Sequence, residues 1–392
     1  MSRFHIETAY KSLFKKGEEL CGDKVSIVRT PNSTIAVLAD GLGSGVKANI
    51  LATLTSTIIS TMLKEGATVA DAVATVANTL PVCSVRKLAY STFSVLEISD
   101  TGEGYLAEFD NPFCFYMRDG ELCQFKCEYN EYSGRGVYET RFQAQAGDIL
   151  TLVSDGVIYA GVGESLNFGW TWEHVAAWLK NAVALDMSVP RLTAALSDTV
   201  NDLYHGRPGD DSTVLVVGVV NEKVVNMFAG PPKNKEDDEK MVADYMSSEG
   251  KHTICGGTSA NIVSRVIGKP IKTSLKYTDP RVPPIGFIDG IDLCTEGVLT
   301  LSRTLEILRQ YYKESGSDSE FFNTLDEENG AAMMAKLLLE DCTRLKLFIG
   351  TAINPAHQNP DLPQDLSIKL KQIEKLKSLL ESFGKRVETK YY

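Results

Sequence analysis

Asp40, Asp155 and Asp210 each sit where a run of β-forming apolar residues meets a turn. Asp40-Gly41 closes Thr34-Ile35-Ala36-Val37-Leu38-Ala39, Asp155-Gly156 closes Ile149-Leu150-Thr151-Leu152-Val153-Ser154, and Gly209-Asp210-Asp211 opens Ser212-Thr213-Val214-Leu215-Val216-Val217. Strand ends are rigid, so carboxylates placed there converge with little conformational freedom to lose. Converging carboxylates repel unless a cation neutralises them, and an all-oxygen cluster suits hard divalent ions such as Mg²⁺ or Mn²⁺. One Asp-Gly pair alone is an ordinary turn. Three in this order read as the centre of a metal-assisted hydrolase, with Gly41 letting the backbone approach closely enough for its carbonyl to act as a ligand.

Positioning such a centre takes strands, and the sequence supplies them. Lys24 to Thr30 and Thr34 to Ala39 flank the turn Pro31-Asn32-Ser33, and a Gly-rich break at 41–45 feeds a helix through Lys64. A second helix is expected over Val69 to Leu80. Short strands follow at Tyr90 to Ile98, Gly104 to Asp110, Phe113 to Arg118 and Glu121 to Lys126, punctuated like an antiparallel meander. Tyr138 to Ala144 and Ile149 to Ser154 read as another strand pair, and helical spacing returns at Trp172 to Lys180 and Arg191 to Tyr204. Hairpin strands with helices grouped between them predict an α+β sandwich of two antiparallel sheets flanked by helices.

The 392 residues suffice for two domains, expected at 1–222 and 223–392. The net charge of −11 argues against a nucleic-acid surface, and so against a metal-dependent nuclease. Five histidines leave little room for a His-rich zinc site. Eight dispersed cysteines, with Cys123 and Cys127 nearest each other and read as hairpin thiols, suit a reducing cytoplasm. The apolar stretch from Ala48 to Leu63 is rich in Thr and Ser and reads as a buried helix rather than a membrane span.

The strings Gly17-Glu18-Glu19-Leu20-Cys21-Gly22-Asp23, Leu38-Ala39-Asp40-Gly41-Leu42-Gly43-Ser44-Gly45, Ala146-Gly147-Asp148-Ile149-Leu150-Thr151-Leu152-Val153-Ser154-Asp155-Gly156-Val157 and Gly209-Asp210-Asp211-Ser212-Thr213-Val214 go further. Together they resemble the metal-dependent protein phosphatases of the 2C class, in the stage II sporulation protein E-like bacterial branch, over about residues 10–220. The resemblance implies a binuclear Mn²⁺/Mg²⁺ centre that hydrolyses phosphoserine or phosphothreonine on a signalling protein through a bridging hydroxide. It implies that Asp40 bridges the metals, that the Gly41 carbonyl binds one, and that Asp155 and Asp210 complete the shell. Asp23 would hold a metal-bound water, and Asp211 would orient its neighbour more than bind metal. Two cations about 4 Å apart lower the pKa of a shared water and offset charge on the phosphoryl oxygens.

Two positions depart from the wider family. Leu42 stands where many members carry a His that protonates the leaving group, a His that the bacterial branch commonly lacks too. The phosphate-capturing Arg of many eukaryotic members has no clear counterpart, and Lys24, Arg29 and Lys47 are the candidates. The alternative reading is therefore a catalytically weak scaffold that binds a phosphoprotein and signals through its C-terminal domain.

After Val220 the composition changes. The polar stretch 230–238 marks the junction or an early loop of a smaller α/β domain. Its expected elements are helices Glu239 to Ser248, through Ile267, Leu299 to Tyr312, Ala331 to Leu339 and Asp365 to Phe383, with strands His252 to Cys255 and Lys346 to Gly350; Glu314 to Asn329 reads as an acidic mobile loop. Gly256-Gly257-Thr258-Ser259, between strand and helix, is a candidate small-anion site, although a tight capped turn accounts for it as well. Asn354 and His357 in a polar loop could line the same pocket. Leu366, Leu370, Ile373, Leu376, Leu380 and Phe383 form a helical stripe that docks on its own domain or, alternatively, seals a homodimer. The expected role of this domain is regulatory or ligand-sensing.

Overall fold

A computed structural model of the chain describes residues 3–79, 91–273, 279–313, 318–352 and 365–392. Contacts divide it into two compact units, the first running to Asn221 and the second beginning at Glu222.

The first unit begins with β1 (Phe4–Leu13), β2 (Asp23–Arg29) and β3 (Ser33–Gly41), followed by α1 (Gly45–Lys64) and α2 (Val69–Thr79). Then come β4 (Ser91–Ser99), β5 (Glu103–Phe109), β6 (Phe115–Arg118), β7 (Glu121–Cys123), β8 (Glu128–Tyr132), β9 (Arg135–Gln143) and β10 (Ile149–Val153). The short α3 (Asp155–Ile158), α4 (Trp172–Val183), α5 (Val189–Leu203) and β11 (Ser212–Asn221) complete it. Two antiparallel sheets result, one ordered β1-β11-β10-β6-β7 and the other β2-β3-β4-β5-β9-β8.

Alternation along the strands explains the layering. Ile35, Val37 and Ala39 pack with Leu51, Ala52 and Ile59 of α1, whereas Ala36 and Leu38, on the other face of β3, join Leu150, Leu152, Leu215 and Val217 between the sheets. On the far side Val214 and Val216 pack with Val175, Leu179, Leu192 and Leu196 of α4 and α5. Helix, sheet, sheet and helix thus form four layers. Helix α1 has the length and apolarity of a membrane span, yet its Ala48, Leu51, Ala52 and Ile59 are buried against the sheet.

Three sequence expectations are corrected here. Strands β9 and β10 do not pair: β9 lies between β5 and β8, and β10 between β11 and β6, in different sheets. The meander also breaks after β5, because the chain crosses to the other sheet before β6. Local turn chemistry sets hairpins but not which sheet the next strand joins. Cys123 lies in β7 and Cys127 beyond its end, so they share no hairpin; both are free thiols.

The second unit contains β12 (Val224–Ala229), α6 (Asp238–Met246), β13 (Lys251–Cys255), α7 (Gly257–Ile267), β14 (Lys272–Thr273), β15 (Gly286–Phe287) and β16 (Leu293–Thr295). It continues with α8 (Val298–Lys313), α9 (Ser319–Leu325), α10 (Gly330–Glu340), β17 (Arg344–Ile349), α11 (Asp365–Ser382) and β18 (Arg386–Tyr391). Its sheet is ordered β14-β15-β16-β13-β12-β17-β18, and the strands from β16 to β18 are parallel. The chain therefore builds outward from β12 in one direction, then returns and builds in the other. With right-handed crossovers this places helices on both faces. Accordingly α6 and α7 pack with Phe228, Ile254 and Phe348, while α8 packs against α10 and α11.

The stretch 230–238 follows β12 and so lies inside this unit. The expected acidic loop after residue 314 instead holds α9, which buries Phe321, Phe322 and Leu325. Three apolar side chains outweigh the surrounding charge. Ile373, Leu376 and Leu380 of α11 are buried within their own unit. Asn354 and His357 lie outside the described residues, as does the side chain of Leu366.

Candidate active site

The carboxylates at issue occupy strand ends of both sheets in the first unit. Asp40 is the penultimate residue of β3, Asp155 opens α3 directly after β10, and Asp210 and Asp211 precede β11. Asp23 begins β2 and pairs directly with Asp40 across the strands.

Hydrogen bonds tie these ends to one another. Ser154 N–H donates to the Thr213 carbonyl (3.0 Å) and Thr213 N–H donates to Ser154 Oγ (2.8 Å), fixing Asp155 beside the start of β11. The buried Asp211 carboxylate accepts from Lys15 N–H (3.0 Å) and Gly22 N–H (2.8 Å), drawing in the segment that leads to Asp23. Gly41 N–H in turn donates to the Gly22 carbonyl (3.1 Å), and Ser91 Oγ donates to the Asp40 carbonyl (2.8 Å). Asp211 therefore acts as a clamp on two backbone amides.

Two glycines are required by close approach. A Cβ on Gly41 would lie 2.1 Å from the Ala48 carbonyl oxygen, and one on Gly156 would lie 2.1 Å from the Asp211 carbonyl oxygen. In the sequence these glycines mark turns; in the structure they let α1 and β11 press against the carboxylate-bearing ends.

The electrostatics show which groups share a field. Burial pushes the Asp40 carboxyl up to about 9, helped by the charges of Asp23, Asp155, Asp210 and Asp211. Burial likewise raises Asp23 to about 7, with Asp211 and Asp155 adding to it and the hydroxyls of Ser154 and Thr213 opposing. Asp155 is raised by burial and by Asp210, and Lys15 works against that shift. Five acidic groups from four strand ends thus sense one another, as groups brought to one locus must.

Both oxygens of Asp23 are buried, and although the Ser154 and Thr213 hydroxyls influence the group, neither closes a hydrogen bond with it. A desolvated, unpartnered carboxylate beside four others is expensive, and a hard cation is the partner that such an all-oxygen donor set fits. Among the described residues no three His, Cys, Asp or Glu side chains are grouped closely enough to hold a metal ion.

Lys15, which carries no recognisable sequence signal, proves to be the cation at this cluster. Its Nζ lies 3.3 Å from Asp210 Oδ1. The three cations singled out in sequence fare differently. Arg29 is largely buried, donates to Thr8 Oγ1 (3.1 Å) and has its pKa lowered by burial, while Lys24 and Lys47 are exposed. Leu42 is half-buried beside Gly41.

Residues 30–220 match the family model described as Stage II sporulation protein E (SpoIIE). No curated protein matches the chain. Among solved structures, the PP2C phosphatase domain with a regulatory-domain fragment of Bacillus subtilis SpoIIE is 20% identical, with 57% of this chain and 66% of that chain covered and a TM-score of 0.49. The phosphatase domain alone of the same Bacillus subtilis protein is 19% identical over 56% of this chain and 95% of that chain, with a TM-score of 0.42. The RsbU and RsbW domains of a Mycobacterium tuberculosis protein are 20% identical over 56% of this chain and 61% of that chain, with a TM-score of 0.44. This chain spans just under two thirds of the first and third of these.

Proposed function

We propose that this chain, whose residues 30–220 match the SpoIIE family model, is a Mn²⁺- or Mg²⁺-dependent phosphatase of the PP2C class acting on phosphoserine or phosphothreonine of a signalling protein in the cytoplasm. The observation that carries the reading is the shared field of Asp23, Asp40, Asp155 and Asp210 around a buried carboxylate with no partner. In this reading Asp40, Asp155, Asp210 and the Gly41 carbonyl would hold the cations, with Asp23 supporting them. Two such ions supply charge neutralisation and an activated water to a phosphoryl group.

The protein's own residues do the rest. Asp211 fixes the segment before Asp23 through the Lys15 and Gly22 amides, so the carboxylates are held before substrate arrives. Gly41 and Gly156 keep the site floor free of side chains that would push the strand ends apart. Lys15 offers a positive charge at the rim for an incoming phosphate dianion. The scaffold alternative draws support from one position, Leu42, where no proton donor stands for the leaving alkoxide.

The test is phosphate release from p-nitrophenyl phosphate and from phosphoserine peptides, with Mn²⁺ and with chelator. Metal-stimulated turnover that Asp40→Asn abolishes is the expected result. Turnover indifferent to chelator, or intact in Asp40→Asn, would exclude the enzyme reading. Tight phosphopeptide binding without turnover would favour the scaffold.

A further inference from the structure

The second unit carries an ammonium group that has no partner among the described residues. Lys369, near the start of α11, reaches the carboxyl ends of the parallel strands. Its Nζ lies 3.5 Å from the position a Cβ on Gly230 would take and 3.7 Å from that on Gly256. Among the described residues it makes no hydrogen bond or ion pair, and Cys255 and Glu296 influence it only through space. Lys369 is half-buried, and that burial lowers its pKa.

Four parallel strands end in glycine at this edge of the sheet: Gly230 after β12, Gly256 after β13, Gly350 after β17 and, one residue further on, Gly297 after β16. The approach between them is close. A Cβ on Gly256 would stand 3.9 Å from Gly297 Cα, and one on Gly230 would stand 2.8 Å from the Gly350 carbonyl oxygen. Strand order reverses between β12 and β17, and in open parallel sheets ligands settle outside the carboxyl ends at such a reversal.

Two helices also begin here, α7 at Gly257 and α8 at Val298, each presenting the positive end of its dipole. The N–H groups of Gly257, Thr258 and Ser259 donate to no group among the described residues. Among the described residues the space at Gly257 is open, since a Cβ there would meet nothing within 4 Å. Against these stands one exposed carboxylate, Glu296. It would largely cancel the attraction for a monoanion but not for a dianion.

We propose that the carboxyl end of this sheet binds a small phosphate-bearing metabolite, its phosphoryl group held between the Lys369 ammonium and the first-turn amides of α7. A lysine supplies the point charge, and the amides supply direction. The second unit is then a phosphometabolite sensor, independent of whether the first unit is an active phosphatase.

The experiment uses the full chain in EDTA, so that metal in the first unit cannot recruit phosphate. Inorganic phosphate and AMP are titrated by calorimetry and by thermal shift, against chloride at matched ionic strength. Saturable binding of AMP or of both probes is expected, weakened roughly tenfold or more in Lys369→Met and in Gly257→Asp. Equal affinities would assign recognition to the phosphoryl group alone, whereas tighter AMP binding would add its organic part. Lys369→Met removes an unpaired charge and should melt no lower than the parent, and Gly257→Asp enters open space, so both keep the fold. Absence of saturable binding by the parent at millimolar probe, or binding unchanged in both variants, would overturn the proposal.

Discussion

Asp23 and Asp40 are directly opposed residues on β2 and β3, so their carboxylates emerge on the same face of one sheet. The charge of Asp23 raises the cost of charging Asp40, and both carry pKa values above the ordinary 3.8. A carboxyl whose pKa is raised on folding contributes stability when protonated and loses it as pH rises through the folded value. For Asp23 that window runs from 3.8 to about 7, and for Asp40 from 3.8 to about 9. The metal-free protein should therefore melt at progressively lower temperature as pH climbs through these windows. The slope is at most about 1.4 kcal/mol per pH unit per group, or roughly 2–4 °C per kcal/mol in Tm for a domain of this size. Calorimetry in EDTA checks this: Asp23→Asn should flatten the lower part of the curve, and Mn²⁺ should restore stability at the alkaline end.

Gly156→Ala should disable the site without touching a carboxylate. The added methyl falls 2.1 Å from the Asp211 carbonyl oxygen and 2.5 Å from Ser212 Oγ. Overpacking against backbone costs about 1–3 kcal/mol. Urea denaturation should show that loss, and Mn²⁺ affinity should fall with it because Asp155 and Asp210 are pushed apart.

Asp211→Ala and Asp211→Asn should separate clamping from charge. The alanine variant leaves the Lys15 and Gly22 amides without their acceptor, at about 1–3 kcal/mol for each buried group. The asparagine variant keeps one oxygen acceptor and should retain more than half of the stability that alanine loses. If Asp211 were chiefly a metal ligand, both variants would lose Mn²⁺ affinity equally in calorimetric titration.

Away from the site, Arg118 and Asp148 form a pair whose loss should be felt by the whole first unit. The buried Asp148 carboxylate accepts from Arg118 Nε (2.8 Å), Tyr116 Oη (2.8 Å) and Gln145 N–H (2.8 Å). Arg118→Met strands that charge and should cost about 3–5 kcal/mol. Adding Asp148→Asn should recover part of the loss, which a double-mutant cycle would measure.

Much of this architecture was legible from local pattern. Runs such as 34–39 and 212–217, apolar on both faces, announce strands covered on both sides, and both prove to be central. Strand β1 escaped notice because Phe4–Leu13 mixes His, Glu, Thr, Lys and Ser with its apolar residues, and only Ile6 and Ala9 are buried. Strand β18 lies at a sheet edge and is mostly exposed, so Arg386–Tyr391 shows no burial signal. The reversal of strand order around β12 depends on pairings between residues more than a hundred positions apart, which no local window contains. Lys15 was missed for a related reason. One lysine among 40 basic residues acquires meaning only when β1 is seen to deliver it to Asp210.

Strand β1 also has a consequence for how the chain is made. All ten of its residues pair with β11, from Phe4 opposite Asn221 to Leu13 opposite Ser212. Contacts of such long sequence separation form late and slowly. During synthesis the first strand must wait, with one edge unclaimed, until more than two hundred further residues have left the ribosome. Nascent chains halted before residue 212 should thus be open to chaperones and proteases, and become resistant only once the closing strand emerges.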